Sequence, residues 1–127
     1  MPSFSHSSWE KLAAVHEDLQ KVFIKVVETF DCTILEGLRT PERQAQLVAE
    51  NKSKTLHSKH LTGRAVDVAP YPIDFHDTER FYLFAGYVLG VAQMLGIRLR
   101  WGGDWDSDWN VQEETFKDLV HFELLDA

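Results

Sequence analysis

His60 and Asp67 stand seven positions apart in the run Ser58-Lys59-His60-Leu61-Thr62-Gly63-Arg64-Ala65-Val66-Asp67. A neutral imidazole and an ionised carboxylate are both ordinary ligands of Zn²⁺, and with one further ligand they leave a fourth position open for water. His121, in the run Asp118-Leu119-Val120-His121-Phe122-Glu123, is the candidate for the third. On an extended chain an offset of seven would hold the two side chains some 23 Å apart, at about 3.3 Å per residue. Only a loop that folds back can bring both to one ion, and Gly63 permits the sharp turn this requires. His57, three residues before His60, competes for the same role.

These residues need elements to hold them. Arg64 to Ala69 reads as a strand, with Ala65 and Asp67 on one face and Arg64, Val66 and Val68 on the other. Leu119 to Leu125 reads as a second strand, on which His121 and Glu123 share a face while Phe122 and Leu124 turn to the core. In a straight strand Asp118 cannot share the face of His121, so spacing alone makes Glu123 the acidic neighbour; Asp118 comes within reach only if the chain turns or bulges. Thr33 to Leu38 and Ile97 to Trp101 are two further short strands.

The remaining pattern is helical. Apolar residues at Trp9, Leu12, Ala13, Val15, Leu19, Val22, Phe23, Val26, Val27 and Phe30 follow three-and-four spacing and predict one helix from about Ser8 to Phe30, capped by Ser7 or Ser8. Thr40 and Pro41 open a second helix, which should run to about Asn51. Phe81, Phe84, Ala85, Val88, Leu89, Ala92 and Leu95 predict a third, capped by Asp77 and stopped by Gly96. Lys52 to Lys59 has no periodicity and suits an exposed loop. Helices and strands interleave without regular alternation, which predicts an α+β fold with a small, mostly antiparallel sheet.

At 127 residues the chain fits one domain, residues 1–127, able to bury a core without disulfides. The hydrophobic share of 44% beside 26% charged residues is that of an ordinary globular protein. The net charge of −7, with no basic stripe, makes nucleic acid a poor partner and offers no general attraction to anionic polymers. Cys32 reads as a small core residue. No window approaches the roughly 20 apolar residues of a membrane helix, and the N-terminus lacks the pattern of a secretory signal. Synthesis in the cytoplasm without membrane insertion is the expectation.

Ser58, His60, Gly63, Ala65 and Asp67 together reproduce the S-x-H-x-x-G-x-A-x-D signature of the zinc D-Ala-D-Ala and L-Ala-D-Glu peptidases that cut bacterial cell-wall peptides. The Asp118-Leu119-Val120-His121 segment resembles that family's second element, an acid three residues before the last histidine. The resemblance runs from the Glu36-Gly37-Leu38-Arg39-Thr40-Pro41 segment to the C-terminal His121-Phe122-Glu123-Leu124. It implies a hedgehog/D,D-peptidase-like fold with Zn²⁺ held by His60, Asp67 and His121 on one face of the sheet. It further implies that Asp118, rather than Glu123, is the general base, and that Arg39 binds the substrate carbonyl or the oxyanion. Ser58 would hydrogen-bond substrate or support a ligand. Gln44 reads as structural.

The loop Trp101-Gly102-Gly103-Asp104-Trp105 is similar to one in the L-Ala-D-Glu branch, where Trp101 and Asp104 would flank the substrate. Asp104, Asp106 and Asp108 also fall at positions 1, 3 and 5 of a calcium loop, although Trp109 stands where its turn glycine belongs and Thr115 where its closing Glu belongs. The chain thus resembles phage L-alanyl-D-glutamate endolysins acting as monomers on peptidoglycan stem peptides, bare catalytic domains released through a pore made by another protein. A D-Ala-D-Ala carboxypeptidase or dipeptidase is the alternative within the enzyme class, and a non-catalytic, zinc-stabilised binding module the alternative outside it.

Overall fold

The computed structural model describes residues 3–51, 58–110 and 117–125; residues 52–57 of the loop expected over Lys52–Lys59, His57 among them, and Thr115 lie outside them. Two short helices, α1 (His6–Ala13) and α2 (Glu17–Val27), lead into strand β1 (Cys32–Glu36) and helix α3 (Pro41–Ala49). A single 3₁₀ turn (Lys59–Thr62) precedes β2 (Ala65–Pro70), then helix α4 (Thr78–Met94) and strands β3 (Leu99–Gly102) and β4 (Asp118–Leu124). The strands form one antiparallel sheet in the order β1-β2-β4-β3.

One face of the sheet makes the core. Ile34, Val66, Val68, Leu99, Trp101, Phe122 and Leu124 meet Leu19, Val22, Phe23 and Val26 of α2 and Phe84, Ala85 and Val88 of α4. Phe122 is the junction, edge-on to Phe23 with ring centroids 5.5 Å apart and to Phe84 at 6.1 Å. The opposite face carries Glu36, Asp67, His121 and Glu123, as the alternation of side chains along β2 and β4 predicts. Among the described residues no helix is long and apolar enough to cross a membrane.

The long N-terminal helix expected from periodicity is instead two. His16 interrupts it: its N–H donates to the Gly63 carbonyl at 2.8 Å and its Nδ1 accepts from Asp18 N, capping α2. A tertiary hydrogen bond to the turn beside His60 therefore overrides a run that is apolar enough to continue. The cap of α1 is Ser5, not Ser7 or Ser8. Ser8 is buried, where its Oγ accepts from Ile34 N at 3.0 Å and ties α1 to β1.

Other ends agree more closely. Thr40 accepts from Arg43 N with Pro41 in the first turn, and Asp77 accepts from Arg80 N. Helix α3 stops at Ala49 and α4 at Met94, with Gly96 at φ 73 beyond it. β1 ends at Glu36, before Gly37. A Cβ on Gly37 would lie 2.7 Å from the Lys11 carbonyl oxygen, so α1 can approach this point only over a glycine.

Cys32 is buried in the core, as expected. Burial, and secondarily the charge of Asp31, pushes its thiol up from 9.0 to about 12. The thiolate is the reactive form, so the folded protein should resist alkylation at about pH 8 and react fully once denatured, read by intact mass. Rapid labelling of the native protein would show that this edge of the sheet opens.

Candidate active site

The site grows from one row of residues across three strands. Glu36 on β1 pairs with Asp67 on β2, which pairs with His121 on β4. The next row on this face places Ala65 opposite Glu123, and Glu123 opposite Arg100 of β3. His60 arrives from outside the sheet, on the 3₁₀ turn that Gly63 closes in the left-handed conformation at φ 72. Ser58 caps that turn, its Oγ accepting the His60 N–H at 3.2 Å.

His60 is 1% exposed and is gripped on both sides. Its Nδ1 lies 2.8 Å from the Gly37 carbonyl, which can only accept, so Nδ1 carries a proton and Nε2 is the nitrogen turned toward Asp67. The His60 carbonyl in turn accepts from Arg39 N at 2.9 Å. His121 is fixed in the complementary sense: Nε2 donates to Glu123 Oε1 at 2.8 Å, which leaves Nδ1 toward Asp67. Glu123 Oε2 is held by Arg100 at 2.7 Å and by Lys59 at 3.4 Å.

Three ligand atoms converge. His60 Nε2 is 3.1 Å and His121 Nδ1 3.4 Å from Asp67 Oδ1, and one donor atom from each residue lies within 4.8 Å of the others. Bonds of about 2.0–2.1 Å at tetrahedral angles put donors roughly 3.3 Å apart, so the cluster suits a small tetrahedral ion with one position left open. The imidazole–carboxylate and imidazole–carbonyl hydrogen bonds behind the two histidines are the usual supports of such ligands. His60, Asp67 and His121 are thus brought together as the sequence predicts.

The charges are tightly coupled. Burial would raise Asp67, but hydrogen bonds from His121 and His60 outweigh it and hold its carboxyl well below the usual carboxylate range. Burial would lower His121, yet hydrogen bonds to Asp67 and Glu123 push it up to about 9. Glu123, despite burial, is held down at about 2 by His121 and Arg100.

Asp118 moves the other way. Burial, then the charge of Asp67, raises its pKa, and the positive groups nearby, including His121, His60 and Arg39, only partly offset this. Asp118 therefore feels the same charges as the ligand cluster although it is not in register with His121 on a regular strand. The reason is a register shift: Asp118 pairs with Gly102 and Phe122 with Trp101, so β4 advances four residues while β3 advances one. A Cβ on Gly102 would lie 2.1 Å from the Asp118 carbonyl oxygen, so this irregularity needs the glycine. Glu123, the acid favoured by spacing alone, backs His121 from the side away from Asp67.

Arg39 is 8% exposed and close to the cluster, with Nη2 3.7 Å from Asp67 Oδ2. Its fork is engaged by both Glu36 oxygens, at 2.8 and 2.9 Å, and its Nη1 donates to Gln44 Oε1 at 2.6 Å. Gln44 has the structural role expected of it.

Trp101 and Asp104, expected to flank a substrate, are both buried, at 4% exposed each. The Trp101 indole belongs to the core, edge-on to Tyr82, with Nε1 donating to the Leu119 carbonyl at 2.9 Å. Asp104 faces its own loop, where Oδ2 accepts from Trp109 N at 2.8 Å. The tryptophan beside the cluster is Trp105, its ring 5.4 Å from that of His121 and under the Arg100 guanidinium. Sequence reasoning missed Trp105, Glu36, Gly37 and Arg100; the one available signal was the two-residue alternation that aligns Arg100 with a β4 neighbour.

Three donors that leave a fourth position for water are what a hydrolytic metal centre needs, whereas a closed structural site uses four. Residues 2–125 match the family model of the phage L-alanyl-D-glutamate peptidases, and the chain belongs to that family. It is 37% identical to the L-alanyl-D-glutamate peptidase of Escherichia phage T5, over 96% of this chain and 97% of that one. Its fold matches the crystal structure of the Serratia marcescens L-Ala D-Glu endopeptidase ChiX with a TM-score of 0.82 and 33% identity, over 98% of this chain and 91% of that one. It is a peptidase of the α+β class.

Metal-free protein offers a direct check on these charges. The raised His121 contributes stability that is complete below its ordinary 6.5 and lost as pH rises through about 9. The lowered Glu123 contributes stability that is complete above 4.5 and lost as pH falls through about 2. Thermal unfolding in chelator should therefore give the highest Tm between those two ordinary values and fall on both sides. In Glu123→Gln the acid limb should shrink and metal affinity, read against a competing chelator, should drop by about tenfold or more. Unchanged affinity would remove Glu123 as the orienting partner of His121.

Proposed function

We propose that the protein is a zinc-dependent endopeptidase that hydrolyses the L-Ala–D-Glu bond of peptidoglycan stem peptides, as a phage endolysin. The observation that carries this reading is the convergence of His60 Nε2, Asp67 Oδ1 and His121 Nδ1, with each imidazole anchored through its other ring nitrogen. Two nitrogens and one carboxylate oxygen form a borderline donor set that suits Zn²⁺ better than Ca²⁺ or Mg²⁺. When bound, zinc supplies Lewis acidity that polarises the scissile carbonyl and makes water a nucleophile near neutral pH.

The protein's own residues do the rest. Asp118 takes a proton from the attacking water and returns it to the departing amine nitrogen as the C–N bond breaks, leaving a carboxylate and an amine. Its raised pKa keeps it nearer the working pH than an ordinary aspartate, which favours transfer in both directions. Arg39, immobilised by Glu36 and Gln44, adds fixed positive charge beside the cluster, where negative charge develops on the carbonyl oxygen. Ser58 orients His60 through its backbone, and Trp105 shields the His121 side of the cleft from water.

Asp104, Asp106 and Asp108 support a second, calcium site in the following loop. Their oxygens lie within 4.8 Å of one another, and Asp104 Oδ1 is buried with no hydrogen-bond partner among the described residues. Trp109, where a calcium loop has its turn glycine, takes the matching left-handed backbone at φ 64. Burial and the neighbouring carboxylates raise Asp104, a load a divalent cation would relieve. Calorimetric titration of Ca²⁺ into the zinc-loaded protein should give saturable heat; none at millimolar calcium would sink the assignment.

The endolysin reading includes synthesis in the cytoplasm, passage to the wall through a separate pore-forming protein, and action as a monomer; its support is the similarity to a phage peptidase.

Digested peptidoglycan should yield, by mass spectrometry, new L-Ala carboxyl ends and new D-Glu amino ends, while release of D-Ala would assign a carboxypeptidase instead. Chelation should abolish the cut and Zn²⁺ restore it. Asp118→Asn should keep one molar equivalent of zinc yet lower kcat by about 10²–10⁴-fold; a variant that lyses walls like the parent refutes the base. A parent that binds zinc without cutting any wall would be a binding module.

A further inference from the structure

A cavity of about 260 Å³ opens beside Asp118, lined by Phe75, Phe81, Lys117, Asp118, Leu119 and Val120. Its walls are mostly apolar, and Lys117 is the one cation among the residues that line it. We propose that this cavity receives the D-glutamyl residue on the leaving-group side of the cut, and that Lys117 recognises its free α-carboxylate. The inference rests on the reading of Asp118 as the residue that protonates the departing amine.

Proton transfer fixes the side. Asp118 must come within hydrogen-bond reach of the nitrogen it protonates, so the residue that owns that nitrogen lies against Asp118. In an L-alanyl-D-glutamyl bond that residue is D-glutamate, and its α-carboxylate is attached to the carbon that bears the nitrogen. Lys117 directly precedes Asp118 in the chain and lines the same cavity, so an ammonium belongs to the pocket that adjoins the proposed proton donor.

The lysine is held but not neutralised by its described neighbours. Its Nζ donates to Tyr82 Oη at 3.2 Å and sits 5.7 Å from the centre of the Tyr82 ring. Neither contact consumes the charge, and an ammonium has three protons to give. Phe75, 61% exposed and stacked on the buried Phe81, supplies an apolar wall for the methylene groups of the glutamyl side chain. With a net charge of −7 the protein has little long-range attraction for an anionic peptide, so a local cation is where such a carboxylate can be caught.

The test uses the zinc-loaded protein and two synthetic stem peptides that differ only in whether the D-glutamyl α-carboxyl is free or amidated. The parent should show a KM about five- to tenfold lower for the free acid, the scale of a partly exposed charge-assisted contact. Lys117→Gln should raise KM on the free acid by that factor, leave KM on the amide within about twofold and leave kcat nearly unchanged, while Lys117→Arg should keep the preference. Equal KM for the two peptides with the parent, or an equal loss on both in Lys117→Gln, overturns the assignment. A parent that cuts neither peptide removes the peptidase reading itself, and the subsite with it.

Discussion

The carboxylate of Asp67 is the constraint on which the rest of the site depends. It is a largely buried negative charge on a central strand, and such a group is tolerated only where hydrogen bonds and opposite charge replace the water it has lost. Its compensation comes from three directions: His60 from the turn before β2, His121 from the neighbouring strand, and Arg39 from the loop after β1. Each of those is itself secured by something behind it, namely Gly37, Glu123, and the pair Glu36 and Gln44. The convergence that suits a metal is thus also the one that makes the buried aspartate bearable in the metal-free protein.

Holding that arrangement still is the work of the opposite face. Phe122 lies between His121 and Glu123 in the chain and anchors β4 against Phe23 and Phe84. Because alternate residues of a strand point to opposite faces, seating Phe122 in the core obliges its two neighbours to stand on the site face. The same logic ties Asp67 to Val66 and Val68. A slip of one residue in the β2–β4 pairing would exchange core and site residues wholesale, so the hydrophobic core and the ligand cluster specify one another.

Asp118 escapes that regular pattern through glycine. Gly102 lets the β3 backbone approach Asp118 more closely than any side chain would allow, and Gly103 leaves room for the Trp101 ring, which a Cβ there would meet at 2.4 Å. Trp101 then fills the core beneath while Trp105 turns to His121. The two glycines and two tryptophans of this loop therefore divide into close approach, core and cleft. None of them is interchangeable with its neighbour.

Much of this was readable from residue order alone. Strand alternation assigned the faces of Asp67, Phe122, His121 and Glu123, the glycine between His60 and Asp67 announced the turn, and Thr40, Pro41 and Asp77 marked helix starts, because each of these signals is local. The break at His16, the burial of Ser8, Trp101 and Asp104, and the Glu36–Arg39–Gln44 lock were not readable, because each is settled by a partner from a distant part of the chain. The choice between Asp118 and Glu123 belongs with them. Spacing on an ideal strand favours Glu123; only the pairing of Gly102 with Asp118 bends β4 enough to put Asp118 within the field of Asp67, and leaves Glu123 as the support behind His121. Sequence by itself determined which chemical groups are present and which face of an element each occupies, since both follow from side-chain type and backbone period. Tertiary structure decided which of them stand together, since that depends on which distant parts of the chain share a buried charge.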